Sequence, residues 1–146
     1  MALRLRDDEE GSTLLLTIFY GFLSLVLILL VVSATSLYLE RKRLFTLADG
    51  AALVGAEAFE LDDVSATASG FRRTLDSKDV AAAVTEYLET APGDGFESLT
   101  VERAESVDGR SATVALSAYW RPPLLSLLVP EGLRIDVTAV GRSVFL

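Results

Sequence analysis

Three hydrophobic patterns follow one another along this chain. From Gly11 to Leu39 there is no charged residue: GSTLLLTIFYGFLSLVLILLVVSATSLYL. An apolar run of 18 or more residues is long enough to cross a bilayer as a helix. These 29 residues would make a helix about 44 Å long, against about 30 Å of hydrocarbon. After Arg41, Lys42 and Arg43 the pattern changes. Leu44, Leu47, Ala48, Ala51, Val54, Ala58 and Phe59 recur at helical spacing in an alanine-rich stretch. One helix is therefore predicted from about residue 12 to about residue 60, apolar all round at first and one-faced later. Asp62, Asp63 and the small-residue stretch 65–70 are expected to end it.

A second helix is predicted over 77–90, where Val80, Val84, Tyr87 and Leu88 share one face. Asp76 or Ser77 can cap it, and Asp79 suits its first turn. From Phe96 the period falls to two. Leu99 and Val101 alternate with polar residues, Asp108-Gly109 signals a hairpin turn, and Ala112, Val114, Leu116, Ala118 and Trp120 form an apolar face. Leu133, Ile135, Val137 and Ala139 do the same in a third strand. A small antiparallel sheet with one apolar face needs a cover. The expected fold is α+β: a long N-terminal helix packed with one further helix on about three antiparallel strands, in the manner of a pilin. The expected organisation is a leader (1–11), a transmembrane helix (12–39), an Ala-rich continuation (40–62) and a small α+β domain (63–146).

Composition narrows the function. The sequence has no cysteine and no histidine, so it offers no disulfide, no thiolate site and none of the commonest general base. No nucleotide or nucleophile motif is present. Catalysis, cofactor and metal are not expected. Residues 44–146 hold 16 acidic and 8 basic residues, which argues against nucleic acid as a partner and suits a solvated extracytoplasmic domain. The densest acidic cluster, Glu57, Glu60, Asp62 and Asp63, lacks the spacing of a calcium loop and reads as a solvated helix end.

Four acids, Asp7 to Glu10, and the length of the run set the N-terminus apart from a cleaved signal peptide, although Ser33-Ala34-Thr35 imitates a cleavage site. Arg4 and Arg6 on one side and Arg41, Lys42 and Arg43 on the other lean by a single residue towards a cytoplasmic C-terminus. Inside the run, Thr13, Thr17, Gly21 and Ser24 form a small, hydroxylated stripe. Such a stripe either packs against another membrane helix or bonds back to its own carbonyls. The proline-bounded stretch containing Leu124, Leu125, Leu127 and Leu128 is either a crossover capping the core or an apolar contact for a partner.

The order of these features carries a resemblance. A charged leader ends in Gly11, then come Ser12-Thr13, the apolar run, Leu-Tyr-Leu-Glu-Arg-Lys-Arg at 37–43, and Ala48-Asp49-Gly50-Ala51-Ala52-Leu53. Over residues 10–60 this resembles the TadE/TadG-like proteins of the tight-adherence (Flp) pilus assembly system, actinobacterial forms in particular. The resemblance implies a single-pass protein with its N-terminus cytoplasmic and its C-terminal domain outside, against the slim charge count. It implies the bilayer and other pilin-like or pilus-assembly subunits as partners, in an oligomer or hetero-complex. In processed members a prepilin peptidase cuts after the leader's glycine, here between Gly11 and Ser12. Pilin-type helices usually carry glutamate at the fifth mature position; this chain has Leu16. Either the chain stays uncut as an anchored member, or it is cut and sits at a tip. The expected function is a membrane-anchored structural or assembly component, minor pilin or pseudopilin-like, of a tight-adherence type pilus or secretion system. The alternative is a membrane-anchored extracytoplasmic binding or accessory module of a cell-envelope complex.

Overall fold

The structure is a computed structural model that describes residues 7–58, 64–67, 70–91, 95–122 and 130–142. The elements are α1 (Asp7–Glu57), β1 (Val64–Thr67), β2 (Gly70–Arg73), α2 (Ser77–Thr90), β3 (Glu97–Glu105), β4 (Ser111–Trp120) and β5 (Leu133–Arg142). The chain divides into two units, Met1–Ser36 and Leu37–Leu146. The first comprises the N-terminal part of α1. The second contains the rest of α1 and every other element, and has the α+β composition expected from the sequence.

The second unit has one core. Its sheet is antiparallel in the order β3-β4-β5. The alternation read in β4 and β5 decides which face is covered: Ala112, Val114, Leu116, Ala118 and Trp120 are buried with Ile135, Val137 and Ala139. Leu44, Leu47, Ala48, Ala51, Ala52 and Ala56 of α1 join them, with Val80 and Val84 of α2. Tyr87 and Leu88 complete the α2 face as half-buried side chains packed on this core.

Local chemistry fixes the elements. Asp76 is the N-cap of α2, accepting from the Lys78 backbone N–H at 2.8 Å. The other cap candidate, Ser77, is used differently. Its hydroxyl donates to the Ser106 carbonyl and accepts from the Ser106 N–H, both at 3.1 Å, tying the start of α2 to the end of β3. The β3–β4 turn is the one expected from Asp108-Gly109. Gly109 has φ of 68°, where a side chain is disfavoured. Asp108 Oδ1 accepts from the N–H groups of Ser111 (2.7 Å) and Arg110 (2.9 Å) and from the Ser111 hydroxyl (2.9 Å).

Those bonds, the Ser111 N–H foremost and then that of Arg110, hold the Asp108 carboxyl at about 2, below its ordinary 3.8. A depressed carboxyl stabilises the fold above its unfolded pKa, and that contribution is lost as pH falls through the folded one. Thermal unfolding should therefore show Asp108→Ala less stable than the parent at neutral pH. The difference should shrink between pH about 4 and about 2; a difference that stays constant over this range would rule the turn's carboxylate out as its source.

Two features depart from the expectation. Residues 65–67 and 70, in the stretch expected only to end the helix, belong to two paired antiparallel strands, β1 and β2, with Val64 opposite Arg73 and Thr67 opposite Gly70. Four-residue strands of small and mixed residues are too short for alternation to separate them from a loop. In β3 the alternation is interrupted, with register irregularities between Glu97 and Thr100 and between Val101 and Arg103. Val101 pairs with Leu116 yet is exposed, whereas Leu99 and Ala104, the latter opposite Val114, pack on the core. A bulge leaves one extra residue unpaired and so shifts the parity.

Candidate functional site: the apolar helix and its packing segment

Ser12–Glu57 forms a helix long and apolar enough to cross a membrane, with a mean hydropathy of 2.8 in its most apolar window and none of that window buried within the chain. Leu14, Leu15, Leu16, Ile18, Phe19 and Phe22 are all exposed, and so are most of the large apolar side chains up to Val32, Leu29 being half-buried. An unshielded apolar surface of this extent needs an apolar surrounding.

Within the stripe, the Thr17 hydroxyl donates to the Thr13 carbonyl at 2.8 Å; further along α1, Thr35 does the same to Val31 at 2.9 Å. Thr17 thus satisfies its hydroxyl on its own helix, as membrane-facing threonines do. Gly21 has no heavy atom within 4 Å of where a Cβ would sit, and Ser24 is exposed. Ser12 is exposed as well, on the helix. Gly11 lies within α1; its surroundings are outside the described residues, as are Leu124, Leu125, Leu127 and Leu128.

In the second unit, Ala48, Ala51 and Ala52 are fully buried, whereas Asp49 and Leu53 are exposed and Gly50 is half-buried. The small residues bring backbone close to backbone. A Cβ on Gly141 of β5 would collide with the Ala52 carbonyl and lie 2.8 Å from the Leu53 nitrogen. A Cβ on Gly50 would collide with the Tyr87 hydroxyl and lie 3.1 Å from its Cζ. The Ala-Asp-Gly-Ala-Ala-Leu motif is therefore a packing surface: its alanines and glycine admit the sheet and α2, and its aspartate faces water. Sequence reasoning found this motif but missed its partners Gly141 and Tyr87.

The basic cluster divides by role. Arg43 pairs with Glu40 at 3.4 Å, and its guanidinium carbon lies 5.7 Å from the Phe96 ring centroid. Arg41 and Lys42 instead line an open groove of about 500 Å³ with Tyr38, Phe45, Asp136, Val137 and Thr138. Asp136 belongs to a polar network on the sheet's other face. Arg134 donates to Asp136 at 3.0 Å and to Glu102 at 2.9 Å, and Glu102 accepts from the Ser117 hydroxyl at 2.6 Å. The hydrogen bond it donates to Asp136, and then the charges of Asp136 and Glu102, raise the Arg134 pKa above its ordinary value.

An exposed apolar helix leading into a small-residue packing segment is the arrangement against which known families can be compared. Residues 11–58 match the family of putative Flp pilus-assembly TadE/G-like proteins. The TadE/G-like segment covers about a third of the chain and stops where α1 stops, so it contains the apolar run, the basic cluster and the packing motif. The family's description is one of assembly rather than catalysis. No curated protein and no solved structure gives a significant match to the chain.

Proposed function

We propose that this protein is a membrane-anchored structural or assembly component of a tight-adherence type pilus, minor pilin or pseudopilin-like in build. The observation that carries the reading is that the TadE/G-like segment spans two physical regimes. Its first part is apolar and unshielded, and its second part is the packing surface of an α+β unit. A chain built this way holds a folded domain at a membrane through one helix. In this reading residues 12–39 cross the bilayer, the N-terminus is cytoplasmic and the sheet lies outside. The partners are the bilayer and other pilus-assembly subunits, met through the apolar helix. Thr13, Thr17, Gly21 and Ser24 would give such a partner helix its closest approach, with Leu124, Leu125, Leu127 and Leu128 as a further contact.

The leader stays attached in this proposal. Ser12 as a new terminus would place an ammonium group in or beside the apolar layer, and Leu16 offers it no counter-charge. Deletion of the gene from a piliated strain, scored by electron microscopy of surface filaments, should abolish or sharply reduce pili, and the intact gene should restore them. Unchanged piliation would refute the assembly role.

A further inference from the structure

The packing segment of α1 has a second face, turned away from the core. Leu44, Leu47, Ala48, Ala51 and Ala52 are its buried side. Tyr38, Lys42, Phe45, Asp49 and Leu53, spaced by four, three, four and four residues, share an outward stripe and are all exposed. Three of them are large aromatic or apolar side chains, and the two charges between these have opposite signs. Lys42 and Asp49 are seven positions apart, about 10.5 Å along the helix, which is too far for them to pair with each other. Among the described residues, neither forms an ion pair.

The stripe complements itself in one parallel arrangement. In register, a second copy would set Lys42 against Lys42 and Asp49 against Asp49, and like charges facing across a helix seam disfavour it. Shifted by seven residues, Lys42 of one copy meets Asp49 of the other, Tyr38 meets Phe45, and Thr46, beside Phe45, meets Leu53. An antiparallel pair would also match opposite charges, but two copies that enter the bilayer from the same side have parallel helices. The length of the uncharged run permits the shift. Its 29 residues exceed the roughly 30 Å of hydrocarbon by about 14 Å, more than one heptad of helix and less than two. We infer that two copies of this chain pair through this stripe, parallel and offset by one heptad, and that the membrane ends the series at two. A third copy, about 21 Å from the first along the axis, would draw charged residues into the hydrocarbon.

The inference rests on residues 12–39 spanning the membrane, and the test keeps the two apart. The sequence has no cysteine, so introduced ones report single contacts. Two differently tagged full-length chains, one Tyr38→Cys and one Phe45→Cys, are co-expressed and oxidised in washed membranes, and disulfides joining the two tags are measured. This combination should link most strongly, and two Tyr38→Cys chains or two Phe45→Cys chains should link several-fold less. Stronger linkage in the matched combinations would mean an in-register pair and overturn the offset. Stronger linkage of Tyr38→Cys to Leu53→Cys would mean an antiparallel pair and overturn it equally. Lys42→Glu added to both chains should lower the offset yield about fivefold, the scale of one exposed ion pair, and adding Asp49→Lys as well should restore it. A yield indifferent to both changes would overturn the charge pairing. Chains that resist carbonate extraction yet form no cross-tag disulfide would refute the pair and leave the anchor standing, whereas chains extracted by carbonate would overturn both. Photobleaching of labelled chains in dilute vesicles should show at most two steps per complex; three or more would refute the limit set by the membrane.

Discussion

Gly141→Ala should destabilise the α+β unit by about 3 kcal/mol, and Gly141→Val by more. Alanine in place of glycine normally favours a strand, so the sign is set by contact alone. The added carbon would meet the Ala52 carbonyl and the Leu53 nitrogen, and both belong to the helix backbone. No rotamer change can clear it. The helix must lift from the sheet, which loosens the packing of Leu44, Val114 and Leu116, all fully buried. Trimming Ala52 to glycine would not rescue the variant, because the obstructing atoms are main chain.

Gly50 provides the contrast. Its obstacle is the Tyr87 hydroxyl, the far end of a side chain. Gly50→Ala also gains up to about 1 kcal/mol in helix propensity. It should therefore cost little, and Tyr87→Phe should recover what it costs. Trp120 is the single tryptophan and is buried in the core. Its emission during thermal unfolding of the detergent-solubilised chain reads both variants. The Gly141→Ala loss corresponds to a fall of about 10–20 °C in Tm. Gly141→Ala unfolding with the parent would mean that the helix and sheet do not pack at this distance.

The second large effect concerns the apolar run. Leu25→Arg combined with Ile28→Arg places two charges near its middle, each costing about 2.5–3.5 kcal/mol at a membrane centre. The doubly substituted chain should move from the carbonate-resistant membrane fraction to the carbonate-extractable or soluble fraction. Its Trp120 emission should remain native, since residue 25 and residue 28 lie outside the unit that contains the core. The same pair of arginines at Phe45 and Leu53, exposed and past the run, should leave the chain in the membrane. Retention of the Leu25 and Ile28 variant would mean that the run is not what holds the protein there.

Long-range patterns in the sequence already carry much of the fold. Charge absence over 11–39 and the period of two in β4 and β5 are long-range patterns, and each repeats often enough to outweigh local noise. The Asp76 cap and the Asp108-Gly109 turn were legible because each depends on chemistry within two or three residues. What stayed hidden depends on contacts between distant segments. Gly141 looks like any strand glycine until Ala52 is set against it. The shifted parity in β3 leaves no mark in its composition. The groove draws Tyr38 and Arg41 from the helix and Asp136 from the last strand, and no spacing rule joins them. The packing role of Ala48, Ala51 and Ala52 lay between these extremes, since their helical period was visible and the backbone approach it permits was not.

The most direct test of a permanent anchor is the intact mass of the native chain, measured from carbonate-washed membranes and from sheared pili of the same cells. An uncut anchor gives a chain beginning at Met1 or Ala2 in the membranes and none in the sheared filaments. A chain beginning at Ser12 and recovered in the filaments would contradict it, and would make this protein a processed fibre subunit.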